Sequence, residues 1–391
     1  MRTLPPLRPL RGWALPPCRA FALGALLGLG CGDDTPPNTT RATASDLDFG
    51  ELDQVVDDFI QERGLEGASL AIVQRERGIV KVSGYGAFAP DRVFLIASAS
   101  KILSAGVLAR LADEGLLDLD APLGDAVGAA WGDGKSTLRV AQLLSNSSGM
   151  PGLFDAPAYP PYLCQFAIRG SLSSCGQALY QANDAERVVP PDTEFHYGGA
   201  QWQLAGAVAE QASGRSWREL ISDTYVEPCG AQSLGYTNPF AASGGRGYPA
   251  DFEGDPSRLD ATDNPNIEGG AYVNVGDYAK VLALHLSAGR CGDAAVLTEA
   301  SVERMQRDRI ADVYGGTTNE PALAGYGFGW WIDREHTGIV ADPGLYGAVP
   351  WIDNARRYAA FIALEASSDE GLALWARAKP AIDQVFDALA Q

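Results

Sequence analysis

The chain has 391 residues, with 30 basic against 49 acidic side chains, a formal net charge of −19 and 46% hydrophobic residues, including 45 glycines and 24 prolines in its composition. That make-up belongs to a globular, loop-rich protein with enough apolar residue for a sizeable core, in one large domain or two. The acidic balance offers no basic surface for nucleic acid or an anionic membrane, so neither is expected as a partner.

Residues 1–30 read as an export signal: Arg2, Arg8, Arg11 and Arg19 lead into the apolar run 20–30, which ends at Cys31. The run is too short to span a membrane as a helix. Its end, Leu27-Gly-Leu-Gly30-Cys31, resembles a bacterial lipoprotein cleavage site with Cys31 as the lipidated residue, although Gly28 stands where a larger aliphatic residue is usual. Membrane attachment is expected only through that anchor, which places the chain in the cell envelope. Removing the four arginines from the 30 basic residues leaves 26 against 49 acidic ones. Residues 31–47, polar and containing Pro36-Pro37, suit a flexible tether. Residues 48–391 are expected to form the folded domain.

That domain opens with a helix carrying Phe49, Leu52, Val55, Val56, Phe59 and Ile60 at helical spacing and stopping at Gly64. Stretches 68–74 and 79–85 read as a hairpin around a turn ending at Gly78. Next, Phe94-Leu-Ile-Ala-Ser98-Ala-Ser-Lys101 opens a helix whose apolar stripe is Ile102, Leu103, Val107, Leu108 and Leu111. A helical piece at 138–144 runs into Ser145-Asn146-Ser-Ser-Gly149-Met-Pro151, and 152–195 is loop-rich. Phe195-His-Tyr197-Gly-Gly199 precedes a helix over 200–212, and another begins near Ser216. Residues 230–268 read as long loops, followed by helices at 275–287 and 298–306. Strands are expected at 326–332, 347–352 and 357–364, and a last helix at 371–389 holds Pro380, where it is expected to bend. Strands at both ends with helices between predict an α/β chain of the α+β type: one antiparallel sheet built from both termini, with flanking helices and an inserted helical region. Four cysteines lie beyond Cys31, and an even number in an exported chain favours disulfides. Cys164–Cys175 would staple the loop-rich insertion, and Cys229–Cys291 would tie the helical region to the segment after 275–287.

Ser98 and Lys101 stand three apart at the start of a helix, which puts amine and hydroxyl on one face. A neutral amine can take the proton that makes a serine hydroxyl a poor nucleophile, and burial lowers a lysine pKa toward that state. The chain has five lysines, at 81, 101, 135, 280 and 379, and only Lys101 has a serine three positions before it. Competing chemistries find little support. Three histidines, at 196, 285 and 336, show no metal-ligand spacing, and no Gly-x-Ser-x-Gly elbow or phosphate loop is present. No metal or organic cofactor is expected.

In order, Gly84-Tyr85-Gly86, Ala97-Ser98-x-x-Lys101, Leu143-Leu-Ser-Asn146-Ser-Ser-Gly149, Gly269-Gly270 with Asp277, and Tyr326-Gly-x-Gly-Trp-Trp331 resemble segments of the serine β-lactamase-related hydrolases. That family includes class C β-lactamases, D-alanyl-D-alanine carboxypeptidases and related esterases, and the resemblance covers roughly residues 50–390. It implies a β-lactamase/transpeptidase-like fold and a third catalytic group, Tyr197, from the family's Tyr-x-Asn. It also implies that Asn146, Gly199, Asp342, Gly344 and Leu345 border the substrate. Two departures stand out. Gly199 replaces the asparagine, and the third motif, Lys-Thr-Gly or His-x-Gly in the family, aligns with Asp342-Pro343-Gly344, His336-Thr-Gly338 being a loop decoy. The expected protein is an exported serine hydrolase acting on a small ester, amide or peptide-like substrate through a Ser98 acyl-enzyme. An acid at 342 facing a substrate carboxylate would make it esterase-like rather than an efficient β-lactamase. The rival reading, favoured by Gly199 and Asp342, is a cell-surface binding or scaffold protein that keeps the fold without turnover.

Overall fold

The computed structural model describes residues 47–153, 155, 159–242, 256–258 and 261–389. The export signal, Cys31 and the tether through residue 46 lie outside the described residues. Helix α1 (Gly50–Arg63) buries Leu52, Val56, Phe59 and Ile60 and ends at Gly64. The expected hairpin follows as β1 (Gly67–Gln74) and β2 (Gly78–Gly86), paired antiparallel.

The chain then enters the helical region. A small sheet there consists of β3 (Val93–Leu95), β4 (Gly235–Tyr236) and β5 (Ala271–Asn274), with β5 central. Around it lie α2 (Ser100–Asp113), α3 (Ala200–Ser213) and α4 (Val275–Leu286), and a short ribbon joins β6 (Arg290–Cys291) to β7 (Ala294–Ala295). Five more strands return the chain to the main sheet: β8 (Gly325–Tyr326), β9 (Trp331–Ile332), β10 (Ile339–Ala341), β11 (Ala348–Asp353) and β12 (Tyr358–Ala363). The seven-stranded antiparallel sheet has the order β2-β1-β12-β11-β10-β9-β8, and α5 (Ser368–Leu389) closes the chain. Strands from the two ends meet at β1–β12, with Ser69 opposite Ala363.

Strands β11 and β12 are buried along their whole length because helices cover both faces of the sheet. Tyr358, Ala360 and Ile362 join a core with Phe49 and Phe59 from α1 and Ile382 and Phe386 from α5. Their alternates, Ala359, Phe361 and Ala363, face the other core, where Tyr278 of α4 stacks on Phe361 at 4.3 Å. Helix α2 lies in that second core and is buried from Ser100 through Ala109 and again at Leu111. The expected one-sided stripe is therefore only part of its contact surface, because Ser104, Ala105 and Gly106 bury the opposite side.

Three expectations change. The strand at 326–332 is split into β8 and β9 by a tight turn in which Gly329 takes a φ of 77° and presses its Cα against the Lys101 carbonyl, leaving no room for a Cβ. The loop-rich stretch contains a helix, Leu172–Tyr180, N-capped by the Ser171 hydroxyl, which accepts the Ser174 N–H at 3.1 Å. Its Ser-Ser-Cys-Gly start has weak helix propensity, so packing rather than local preference forms it. β10, three residues long, is too short to give a periodic signal. Helix α5 runs continuously through Pro380. Cys164–Cys175 and Cys229–Cys291 stand at disulfide distance in the expected pairing, with Cα–Cα separations of 5.5 and 4.9 Å. Among the described residues no helix is long and apolar enough to cross a membrane.

Candidate active site

The Ile96 N–H bonds the Ala271 carbonyl at 3.1 Å, holding the end of β3 against β5. The backbone then turns sharply. Ala97 has a φ of 45°, a strained region for a residue with a Cβ, and a 3₁₀ turn over Ala97–Ala99 feeds into α2. The turn presents Ser98: within 94–109 it alone keeps partial solvent access, and every other residue is buried. One turn on, the Lys101 Nζ donates to the Ser98 Oγ at 3.1 Å and to the Glu268 carbonyl at 3.2 Å, and it lies 3.5 Å from the Glu268 Oε2.

Tyr197 reaches the same amine from the loop before α3. The Lys101 Nζ stands 4.6 Å from the centre of its ring, and Trp331 packs on that ring at 4.9 Å. After Tyr197 the chain makes a double-glycine turn, with φ of 69° at Gly198 and 83° at Gly199. The Gly199 ψ of −156° completes a conformation that only glycine adopts readily. The turn points both backbone N–H groups inward: Gly198 donates to the Asn146 Oδ1 at 3.0 Å and Gly199 to the Glu268 Oε2 at 2.7 Å. The Asn146 Oδ1 also accepts the Trp202 Nε1 at 2.8 Å and the Gln201 Nε2 at 3.2 Å. Asn146 has no accessible surface, so the expectation that it borders the substrate is corrected: it ties down the Tyr197 turn from behind.

Charges are concentrated around Lys101. Burial pulls its ammonium down, as the sequence suggested, but Tyr197, Glu268 and Asp342 surround it and the net direction is upward, so Lys101 is held cationic at rest. Burial raises the Tyr197 phenol, against the opposing pull of the Lys101 charge and the Ser98 hydroxyl. Asp342 follows β10 with no accessible surface, and neither carboxylate oxygen closes a hydrogen bond among the described residues. Burial pushes its carboxyl well above the usual range, offset only in part by Lys101 and by the nearby Trp331 and Ile102 N–H groups. The expectation of an exposed carboxylate facing the substrate is therefore corrected: the Asp342 side chain is fully buried.

A carboxyl whose folded-state value is raised favours the fold fully only below its unfolded value of 3.8, and that contribution is lost as pH rises toward the folded value. Asp342→Asn is accordingly expected to melt above the wild type at pH 7, with the gain vanishing as pH falls below the ordinary carboxylate range. Equal melting at neutral pH would mean that Asp342 is ionised and satisfied.

A family model described as Beta-lactamase matches residues 52–381. The chain belongs to the beta-lactamase family. It is 25% identical over 288 residues to penicillin-binding protein 4 of Amycolatopsis lactamdurans, covering 69% of this chain and 71% of that protein. A second relative, the esterase/beta-lactamase LipL of Mycobacterium tuberculosis, is 25% identical over 184 residues, which is 45% of this chain and 40% of LipL. The chain thus spans less than half of LipL's length. The solved structure of the octameric penicillin-binding protein homologue from Pyrococcus abyssi shares the fold, with a TM-score of 0.64 at 21% identity over 84% of this chain and 76% of that one. This member of the beta-lactamase family is a serine hydrolase of mixed α/β fold with an antiparallel sheet.

The stretch aligned with the third motif of the beta-lactamase family joins β10 to β11. Gly344 is buried against the Ile96 carbonyl and donates its N–H to Ala348 at 2.7 Å, while Leu345 is 55% exposed at the tip. Tyr346 packs on Leu95 and Ala97, so this loop stands beside the Ser98 turn. His336 lies on the surface before β10, bonded to the Asp333 carboxylate at 2.9 Å. Sequence reasoning overlooked Glu268 at the centre of the site. Its one signal was its place immediately before the Gly269-Gly270 pair.

Proposed function

We propose that the chain is an exported serine hydrolase that opens an ester or amide through an acyl-enzyme on Ser98. The observation that carries this reading is the partly exposed Ser98 hydroxyl 3.1 Å from the buried Lys101 amine. Ser98 attacks the carbonyl carbon while its proton passes to the Lys101–Tyr197 pair. Tyr197 returns a proton to the leaving oxygen or nitrogen as the C–O or C–N bond breaks, and water then cleaves the acyl-serine ester. Because Lys101 is an ammonium at rest, it accepts the Ser98 proton only in the fraction that has lost its own, so acylation speeds up with rising pH until Lys101 is neutral. The Ser98 N–H, in a first helical turn without an intrahelical partner, and the Leu345 N–H on the facing loop are the donors for the oxyanion.

The substrate is a small ester, amide or peptide-like molecule, and neutral ones are preferred. The 342–345 stretch offers no cation or hydroxyl to receive a carboxylate, and Leu345 presents an apolar wall. Matched neutral and carboxylate-bearing p-nitrophenyl esters, run beside nitrocefin, test this. We expect kcat/KM to favour the neutral member by about tenfold, the worth of one charge-assisted hydrogen bond. Asp342→Asn is expected to leave that ratio unchanged, since the carboxyl it removes is fully buried. Nitrocefin turnover as fast as that of neutral esters would refute the preference. Lipidation at Cys31 belongs to the same reading, and Cys31→Ser is expected to release the chain from the membrane fraction. The second reading, binding without turnover, rests on Gly199 having no side-chain amide; a fluorophosphonate probe separates the two, because only an activated Ser98 is labelled.

A further inference from the structure

Gly199 carries no side chain, and a Cβ there would meet the Leu153 N at 3.1 Å, so the contact that this turn makes with the site runs through its backbone N–H. Glu268 is 4% exposed. Its Oε2 accepts the Gly199 N–H at 2.7 Å and lies 3.5 Å from the Lys101 Nζ, while its own carbonyl accepts from that amine at 3.2 Å. The carboxylate also packs against the Gly198 Cα so closely that a Cβ there would meet the Oε2 at 2.6 Å. Main chain and side chain of one residue therefore grip Lys101, and the side chain grips the turn that carries Tyr197. The unusual backbone of Gly199 is what aims its N–H at the carboxylate.

We propose that Glu268 is the positioning residue of this site: its carboxylate ties the Gly199 N–H to the Lys101 ammonium, seats Tyr197 and sets the proton state in which Lys101 meets Ser98. The proposal rests on the acyl-enzyme reading above. The other groups facing Lys101 are Tyr197, from the loop before α3, and Asp342, after β10; Tyr326 of β8 faces Tyr197 and Asp342. Asp342 closes no hydrogen bond among the described residues and makes no ion-pair contact with Lys101, whereas the Glu268 Oε2 lies 3.5 Å from the Lys101 Nζ. Glu268 is therefore the carboxylate in ion-pair contact with Lys101.

Glu268→Gln keeps an amide oxygen for the Gly199 N–H but removes the charge. The rate at which a fluorophosphonate labels Ser98 should be followed against pH by intact mass, in the wild type, Glu268→Gln and Glu268→Asp. In the wild type the rate climbs with pH as Lys101 loses its proton. In Glu268→Gln that climb is expected at lower pH, so that labelling on the acid side is faster by about tenfold, as expected for removal of a neighbouring opposite charge. Glu268→Asp keeps the charge on a shorter arm. Its climb is expected near the wild-type pH, with a lower plateau because the Gly199 contact is lost. A Glu268→Gln profile that coincides with the wild type, or moves to higher pH, overturns the role of Glu268 while leaving the acyl-enzyme intact. Should Glu268→Gln fail to fold, a Glu268→Asp plateau equal to the wild type's overturns it equally. A wild type that is never labelled at Ser98 overturns the acyl-enzyme reading itself, and this proposal with it.

Discussion

Ser98→Ala is expected to lower kcat/KM on a neutral p-nitrophenyl ester by at least about a thousandfold, and to abolish fluorophosphonate labelling, without changing the melting temperature. The hydroxyl is partly exposed, and its neighbour Lys101 keeps the Glu268 carbonyl as an acceptor, so removing one oxygen strands nothing. Lys101→Ala is expected to cost nearly as much activity, and the double variant little more, because nucleophile and proton acceptor act as one unit. Their stabilities should differ. Lys101 is fully buried, and its loss leaves the Glu268 carboxylate unpaired in a dry site, a defect on the order of 3–5 kcal/mol. Full turnover in Ser98→Ala would end the acyl-enzyme reading. A Lys101→Ala variant as stable as the wild type would show that its ion pair with Glu268 carries little weight.

The second large effect is expected at Asn146. Its Oδ1 accepts from the Gly198 N–H, the Gln201 amide and the Trp202 indole; Gln201 keeps the His196 and Gly198 carbonyls, but Asn146→Ala strands the buried Gly198 N–H and the Trp202 indole, each at roughly 1–3 kcal/mol. The residue also has a φ of 55°, which asparagine tolerates better than alanine. We expect a total loss of about 3 kcal/mol or more, read as a melting temperature lower by roughly 6 °C. Activity should fall as well, since the freed turn carries Tyr197. Asn146→Asp retains an acceptor oxygen and should recover part of the stability. Asn146→Ala with both properties intact would show that other contacts hold the Tyr197 turn, such as the Leu153 N–H on the Tyr197 carbonyl at 2.8 Å and the Gln201 amide on the Gly198 carbonyl at 2.9 Å.

Elements with a local cause were legible in the residues. Helical periodicity and a terminal glycine marked α1 and α3, and the three-residue spacing of Ser98 and Lys101 was enough to put amine beside hydroxyl, because i and i+3 share a face wherever a helix forms. The apolar runs 347–352 and 357–364 announced strands, and the antiparallel sheet from both termini followed from their order along the chain. The proton state of Lys101 was not legible. It depends on Glu268, 167 residues away, and on the loop after β10, which meet only when the sheet closes over α2. Asp342 illustrates the same limit. Its letter suggested a charge facing the ligand, whereas packing on every side leaves it no solvent and pushes its carboxyl well above the usual range. Asn146, too, lay in a motif that suggested contact with substrate, and only the Gly198–Gly199 turn folding back over it made it a buried support. Periodicity and turn preference act over a few residues and can be read in order. Burial is decided by segments far apart in the chain, and in this protein it is burial that shifts the Lys101, Tyr197 and Asp342 groups around the serine.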